Sequence, residues 1–274
     1  MRQLAFLVAA ASPALGLISS AANAADPLPA SPATSPSKVA SQSPRTINGS
    51  AWLARAIAAH GGLERWKAQG TMAFSLTGFP LTPALAKPNR STIDLTARFN
   101  RIDGAGFSAA WDGREAWIAP SADAAGLPPR FFVRGSMYFL IMPFVFADDG
   151  ITATDSGPAV FGGVTYDRVH VTYAEGVGDV NDVYDLFFDQ KSHRLAVINH
   201  SVKGAGIERV TWTFDRWQEV DGLLVPRVMT FRAGWNPEAP GEGKSVDVTE
   251  VRFDRARPPA SLYQVRPGDA VVPD

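Results

Sequence analysis

The spacing of apolar positions changes along the chain, and each period predicts a different element. In "GSAWLARAIAAHGGLERW" (residues 49–66), Trp52, Leu53, Ile57 and Ala58 recur at helical spacing behind Ser50, a good helix cap, and Gly61-Gly62 stands where a helix would stop. A helix over about 51–60 is predicted. Beyond it the period falls to two. "TIDLTARF" puts Ile93, Leu95, Ala97 and Phe99 on one side and Thr92, Asp94, Thr96 and Arg98 on the other, which predicts a half-buried strand. "ERVTWTF" turns Val210, Trp212 and Phe214 inward, and in "VDVTEVRF" the apolar parity flips between Val248 and Val251, as the extra residue of a β-bulge would make it. Further strands are predicted over 71–77, 107–111, 115–119, 164–173, 182–188, 194–202 and 225–232. The segments "WDGRE", "DQKSHR", "VDGLLVP" and "NPEAPGEG" supply the turn residues between them. The pattern describes antiparallel strands wrapped into a curved sheet around something.

One run fits neither period. "MYFLIMPFVFA" (residues 137–147) is apolar almost throughout, yet it is shorter than the ~20 residues that span a bilayer. Pro143 interrupts it, lacking an N–H and clashing with a preceding helical turn, so the run reads as two short pieces. Ser136 is a possible cap for the first, up to Met142, and Phe144, Val145 and Phe146 form the second. The run must be covered, either as a plug in the core or as a mobile lid over a cavity, and both readings set it against the concave side of the sheet.

The chain's beginning is organised differently. "MRQLAFLVAAASPALGLISSAANA" has a basic start at Arg2, an apolar stretch from Leu4 and a small-residue end at Ala22-Asn23-Ala24, the pattern of a secretory signal cleaved near Ala24. Residues 25–48 are rich in Pro, Ser and Ala, too poor in large apolar side chains to order themselves, and read as a disordered tether. Residues 49–274 are expected to form one domain, located in the periplasm or secreted, with no transmembrane segment in the mature chain. With no cysteine there is neither a disulfide nor a lipid attachment site. A net charge of −1 gives no basic surplus for nucleic acid.

The chemistry on offer is sparse. Four histidines without cysteine make a histidine-rich metal site improbable, and no two are spaced i, i+4. His60 sits where a cation would favourably face the helix C-terminus. His193 falls in a turn, and His170 shares an outward polar side with Arg168 and Thr172. His200 alternates with Ala196, Ile198 and Val202 on an apolar side, where a neutral imidazole needs a hydrogen-bond partner, so it reads as a core histidine before a catalytic one. "GFSAA" lacks the second glycine of a nucleophile elbow, and "GAGF" and "GAGI" lack what a phosphate loop requires. Glu175, Asp179, Asp182 and Asp185 crowd one loop without calcium-loop order, which fits a solvated hairpin. No catalytic residue, metal or cofactor is assigned.

Three segments, "AWDGREAWIAP", "VYDLFFDQKSHRLAVI" and "EVDGLLVPRVMTF", resemble strand-turn-strand signatures of the LolA-like periplasmic lipoprotein carriers. "AIAAHGGLERW", "FLIMPFVFAD" and "YDRVHVTYAEGVGDVNDVYDLFFD" resemble more closely an uncharacterised bacterial family related to them, with its His-Gly-Gly and Trp elements at His60, Gly61, Gly62 and Trp66. The resemblance implies a mainly β (α+β) fold: an open antiparallel half-barrel of about ten or eleven strands, with the N-terminal helix and a short helical lid over its concave side. In the carriers that side holds acyl chains.

Together these readings suggest an exported binding protein for a lipid, acyl chain or other hydrophobic small molecule. Its candidate lining residues are Phe74, Leu95, Phe99, Trp111, Trp117, Phe139, Leu140, Phe144, Val145, Trp212 and Phe214. The alternatives are a scaffold that docks on envelope proteins around a self-filled core, and a hydrolase-like enzyme acting on a hydrophobic substrate.

Overall fold

The computed structural model describes residues 46–177, 183–202 and 207–271. The signal, the tether up to residue 45, and Asp179 and Asp182 of the acidic loop lie outside the described residues. Ile47 and Asn48, expected to end the tether, already belong to the fold. Ile47 exchanges backbone hydrogen bonds with Ser50 (3.0 and 2.9 Å) and packs on the core.

Helix α1 (Ala51–Ala59) forms as predicted, with Ser50 Oγ accepting the Leu53 N–H at 2.9 Å. It stops at Gly61, whose φ of +111° and close approach admit only glycine, because a Cβ there would lie 2.3 Å from the Gly222 carbonyl oxygen. The short helix α2 (Leu63–Lys67) follows and buries Trp66.

The strands are β1 (Thr71–Thr77), β2 (Asn89–Asp94), β3 (Phe99–Gly104), β4 (Phe107–Trp111) and β5 (Ala116–Ala119), with the one-turn helix α3 (Pro83–Ala86) before β2. Helix α4 (Pro129–Leu140) and a 3-10 turn over Phe144–Ala147 come next. Then follow β6 (Ile151–Phe161), β7 (Val164–Tyr173), β8 (Tyr184–Asp189), β9 (Leu195–Val202), β10 (Ile207–Val220), β11 (Leu223–Ala233) and β12 (Lys244–Asp254), and the two-residue β13 (Ala270–Val271). All join one antiparallel sheet in the order β13-β5-β4-β3-β2-β1-β12-β11-β10-β9-β8-β7-β6. Among the described residues the sheet therefore has twelve full strands and a two-residue thirteenth, more than the ten or eleven expected.

Two missed features account for the difference. "TIDLTARF" is not one strand but the end of β2 and a hairpin turn into β3. Asp94 Oδ1 accepts the N–H groups of Thr96 and Ala97 (2.9 and 2.8 Å), and Arg98 takes a positive φ of 59°. The apolar spacing of the sequence runs on through the turn, but Asp94 pairs with Phe99, so the four-residue turn reverses the parity and Phe99 leaves the side that Ile93 faces. β6 escaped prediction because Gly157 and Pro158 break its pattern, and both are tolerated because β6 is an edge strand. The predicted bulge is present: Ala73 pairs with Arg252 and Ser75 with Thr249, leaving one extra residue on β12, where Glu250 has a φ of +53°.

The order also explains the apolar run. β1 to β5 step outward to one side of the sheet, and β6 to β12 step back from the opposite edge to pair with β1. The segment between β5 and β6 must therefore cross the sheet from one side to the other. The run lies in that crossover, as α4 and the 3-10 turn. Ser136 is not its cap, because α4 already begins at Pro129 and the Ser136 hydroxyl donates back to the Val133 carbonyl at 3.3 Å.

Candidate functional site

The crossover packs on one face of the open sheet, the one expected to be concave. Phe139, Leu140, Phe144 and Val145 all belong to the main core cluster, together with inward residues of the curved sheet and Leu53, Ile57 and Trp66 from the N-terminal helices. The packing is largely ring on ring. Phe144 stacks on Trp66 (4.4 Å between centroids, 3° between planes), and Phe139 lies 4.6 Å from Trp212 and 5.5 Å from His200. Phe146 meets the edge of Tyr184 at 5.6 Å. Each such ring contributes roughly 1.5–3 kcal/mol through burial.

Polar groups moor the crossover to the sheet. Asn100 on β3 donates from Nδ2 to the Val133 carbonyl at 2.8 Å, gripping α4 in mid-helix. Tyr138 and Tyr173 share a hydrogen bond between their hydroxyls. At the far end Asn48 donates to the carbonyls of Phe146 and Asp148 (2.8 and 3.0 Å). Arg98, in the β2–β3 turn, forms a forked ion pair with Asp148, Nη2 donating to both carboxylate oxygens at 2.8 Å and Nε to Oδ2 at 3.3 Å.

Of the predicted lining residues, Phe74, Leu95, Trp111, Phe139, Leu140, Phe144, Val145, Trp212 and Phe214 converge on this face. Phe99 and Trp117 do not. They lie on the outer face, in a separate cluster where the C-terminal segment brings Tyr263 down and the Trp117 indole donates to the Tyr263 carbonyl at 2.6 Å. Trp117 alternates with Ala116 and Ile118, which take the inner positions, and Phe99 starts a new strand beyond the turn instead of continuing β2. Two hollows, of about 280 and 660 Å³, are lined by groups such as Arg252 and Arg257, and Arg65 and Arg255; no residue of the crossover borders either.

His60 is not the cation expected at the end of α1. It is fully buried, and desolvation lowers its pKa to about 4, so the ring is neutral at pH 7. Nε2 accepts the Leu195 N–H and Nδ1 faces the Leu224 carbonyl, both at 3.2 Å, which fixes the proton on Nδ1 and ties α1 to β9 and β11. Arg65 donates to the carbonyls of Gly61 and Gly222 beside it (3.1 and 3.0 Å). The His-Gly-Gly element is thus a structural joint, docked on the Asp221–Gly222 turn.

His200 is inward and buried, its pKa lowered to about 4 by the same desolvation. Its ring stacks on Tyr184 (4.8 Å, 6°), and Nδ1 lies 2.9 Å from the Ser201 carbonyl. Nε2 has no partner. Ala196, expected on the same side, packs instead with the outer cluster of Phe161, Phe187 and Val197, because the pairing shifts between Phe187 and Phe188. His170 is on the outer side as expected, bound to Asp185 at 2.9 Å, which also accepts from Arg209 at 3.1 Å. His193 lies in its turn, against the edge of Trp52.

Known proteins agree with this architecture at the level of fold. No family model matches the sequence, and no curated protein matches it. A solved DUF1329 family protein from Desulfovibrio piger aligns with a TM-score of 0.50 and 12% identity, covering 80% of this chain and 100% of that one. A LolA superfamily protein from Nitrosomonas europaea gives a TM-score of 0.48 at 11% identity, covering 77% and 97%. A putative outer membrane lipoprotein-sorting protein domain from Vibrio parahaemolyticus gives 0.40 at 10% identity, covering 71% and 93%. At these identities the likeness is one of fold, and it is to the DUF1329 family protein that the chain's architecture aligns over most of its length. Among the described residues no helix is long and apolar enough to cross a membrane, and no group of three or more His, Asp or Glu side chains could hold a metal ion.

Proposed function

We propose that this is an exported, periplasmic binding protein that takes a lipid, acyl chain or other hydrophobic small molecule on the concave face of its half-barrel, shifting part of the crossover to admit it. The observation that carries this reading is how the crossover is held. Its apolar side contributes rings to the concave face without joining the sheet, while identifiable polar groups, Asn100, Tyr173, Asn48 and Arg98, moor it. A segment attached in this way moves by breaking a few polar contacts and lifting its rings from the face, which apolar ligand surface would then cover in their place. Phe74, Leu95, Trp111, Trp212 and Phe214 would then meet the ligand, with Phe139, Leu140, Phe144 and Val145 as its cover.

The test is mass spectrometry of an organic extract of the natively purified protein, paired with uptake of a fluorescent hydrophobic probe. Co-purified lipid, and faster probe uptake by Arg98→Ala, are the expected results. A protein that carries no lipid and takes up no probe in either form sinks the reading. The second reading, a scaffold docking on envelope proteins, is favoured by one fact: the concave face is already filled by the chain's own rings. Probe exclusion by every variant would move the assignment there.

A further inference from the structure

The concave face carries a hydrogen-bond acceptor with nothing to accept. The Ser201 carbonyl can only accept, so the His200 proton sits on Nδ1 and Nε2 presents a lone pair. That lone pair is buried and unpartnered. Around it are the Tyr184 ring stacked on the imidazole and Phe139 of α4 tilted against it, and Val210 lies across the strand pair. On the same face Asn100 Oδ1 and Ser91 Oγ are also buried without partners, and Asn100 is the residue that grips α4 through its other atom. Leaving such atoms unmatched under a permanent plug is costly, because the interior offers no water to replace the lost bond. They become useful when α4 shifts and something carrying a donor takes its place.

We infer that His200 Nε2 is the polar anchor of the hydrophobic site and that it selects an uncharged amphiphile bearing a hydroxyl donor, such as a long-chain alcohol or a hydroxyl-bearing lipid. This rests on the reading of the concave face as a ligand site. Donor and acceptor roles follow from the tautomer: a ligand hydroxyl donates to Nε2, whereas an ether or ester oxygen has nothing to donate. A carboxylate is disfavoured twice, since it too offers no proton, and the cation on the neighbouring strand, Arg209, is already engaged by Asp185 and Asn199 (3.1 and 2.8 Å).

The experiment loads the purified protein with diphenylhexatriene, a hydrocarbon probe without polar atoms, and displaces it at pH 7.5 with hexadecanol, its methyl ether or hexadecanoate. In the native protein hexadecanol should compete about tenfold better than either of the others, the effect of one neutral hydrogen bond. His200→Phe should lose that preference, so that alcohol and ether displace the probe equally. Equal competition by alcohol and ether in the native protein overturns the inference while leaving the hydrophobic-ligand reading intact, and it requires no variant to fold. Failure of the native protein to take up probe removes both.

Discussion

Two buried imidazoles, alike in burial and in a pKa lowered to about 4, mark two kinds of interior in this molecule. At His60 both ring nitrogens and the carbonyl are matched. Leu195 N–H and the Leu224 carbonyl use both ring nitrogens, and Leu224 N–H returns to the His60 carbonyl at 3.0 Å. Around His200 one nitrogen is matched and the other is orphaned beneath α4. The first joins three elements that the fold needs together. The second lies where α4 of the crossover covers the sheet, with Phe139 against the ring. A satisfied buried polar group specifies structure, whereas an unsatisfied one is either a cost or a reserved contact.

The largest test of the comparison is acid. Both histidines are harder to protonate folded than unfolded, so their contribution to stability is complete above about pH 6.5 and is lost as pH falls towards 4. Each should remove about 3 kcal/mol over that window, and Arg194 beside His60 and Arg209 beside His200 act in the same direction. Urea unfolding at pH 7 and pH 4 measures the total. His200→Phe should abolish about half of the histidine part, and an unchanged slope would mean that His200 is not buried as described.

Next in size is His60→Ala, expected to cost about 3–5 kcal/mol because it strands the Leu195 N–H and the Leu224 carbonyl and leaves a cavity against Trp217, whose ring is 4.4 Å away. A loss below about 1 kcal/mol in denaturant midpoints would remove the joint from the account. Phe144 packs on Trp66 and faces His60 at 6.3 Å, whereas Phe139 packs on His200 and Trp212. Phe144→Ala should cost about 3–5 kcal/mol; on the proposed opening of α4, Phe139→Ala should cost nearer 2 kcal/mol and speed probe dissociation. Equal stability losses with unchanged probe kinetics would make the whole crossover a fixed plug. The smallest effect belongs to His200→Phe at pH 7, within about 1 kcal/mol of the native protein, since it discards an orphaned acceptor while keeping a ring of similar shape.

Much of this was legible in the sequence wherever local chemistry and period agreed. Ser50 and Gly61 bounded α1 as expected, residues 71–77 and 164–173 are strands over the predicted span, and the parity flip in "VDVTEVRF" located a real bulge. Which of the expected lining residues join the main core was legible only in part. Trp117 and Phe99 are as apolar as Trp111 and Leu95, and nothing local says that a C-terminal segment will return to cover the outer face with Tyr263. His60 was misjudged for the same reason. A helix terminus favours a cation when solvent reaches it, but the β11 turn closes over this one. The signal that could have warned of this was the doubled glycine after His60, which marks a close backbone approach.

By itself the sequence determined what short-range physics decides: most of the extended stretches, the cap at Ser50 and the stop at Gly61, and that an eleven-residue apolar run broken by Pro143 must be covered. Only the tertiary structure decided what covers it and why. The strand order sends β5 and β6 to opposite sides of one sheet, so the chain between them has to traverse the concave face, and burying that crossover is the least costly way to make the passage. Which atoms are left unmatched beneath it, His200 Nε2 foremost, depends on partners brought from α4, β8 and β10, and no local pattern encodes that meeting.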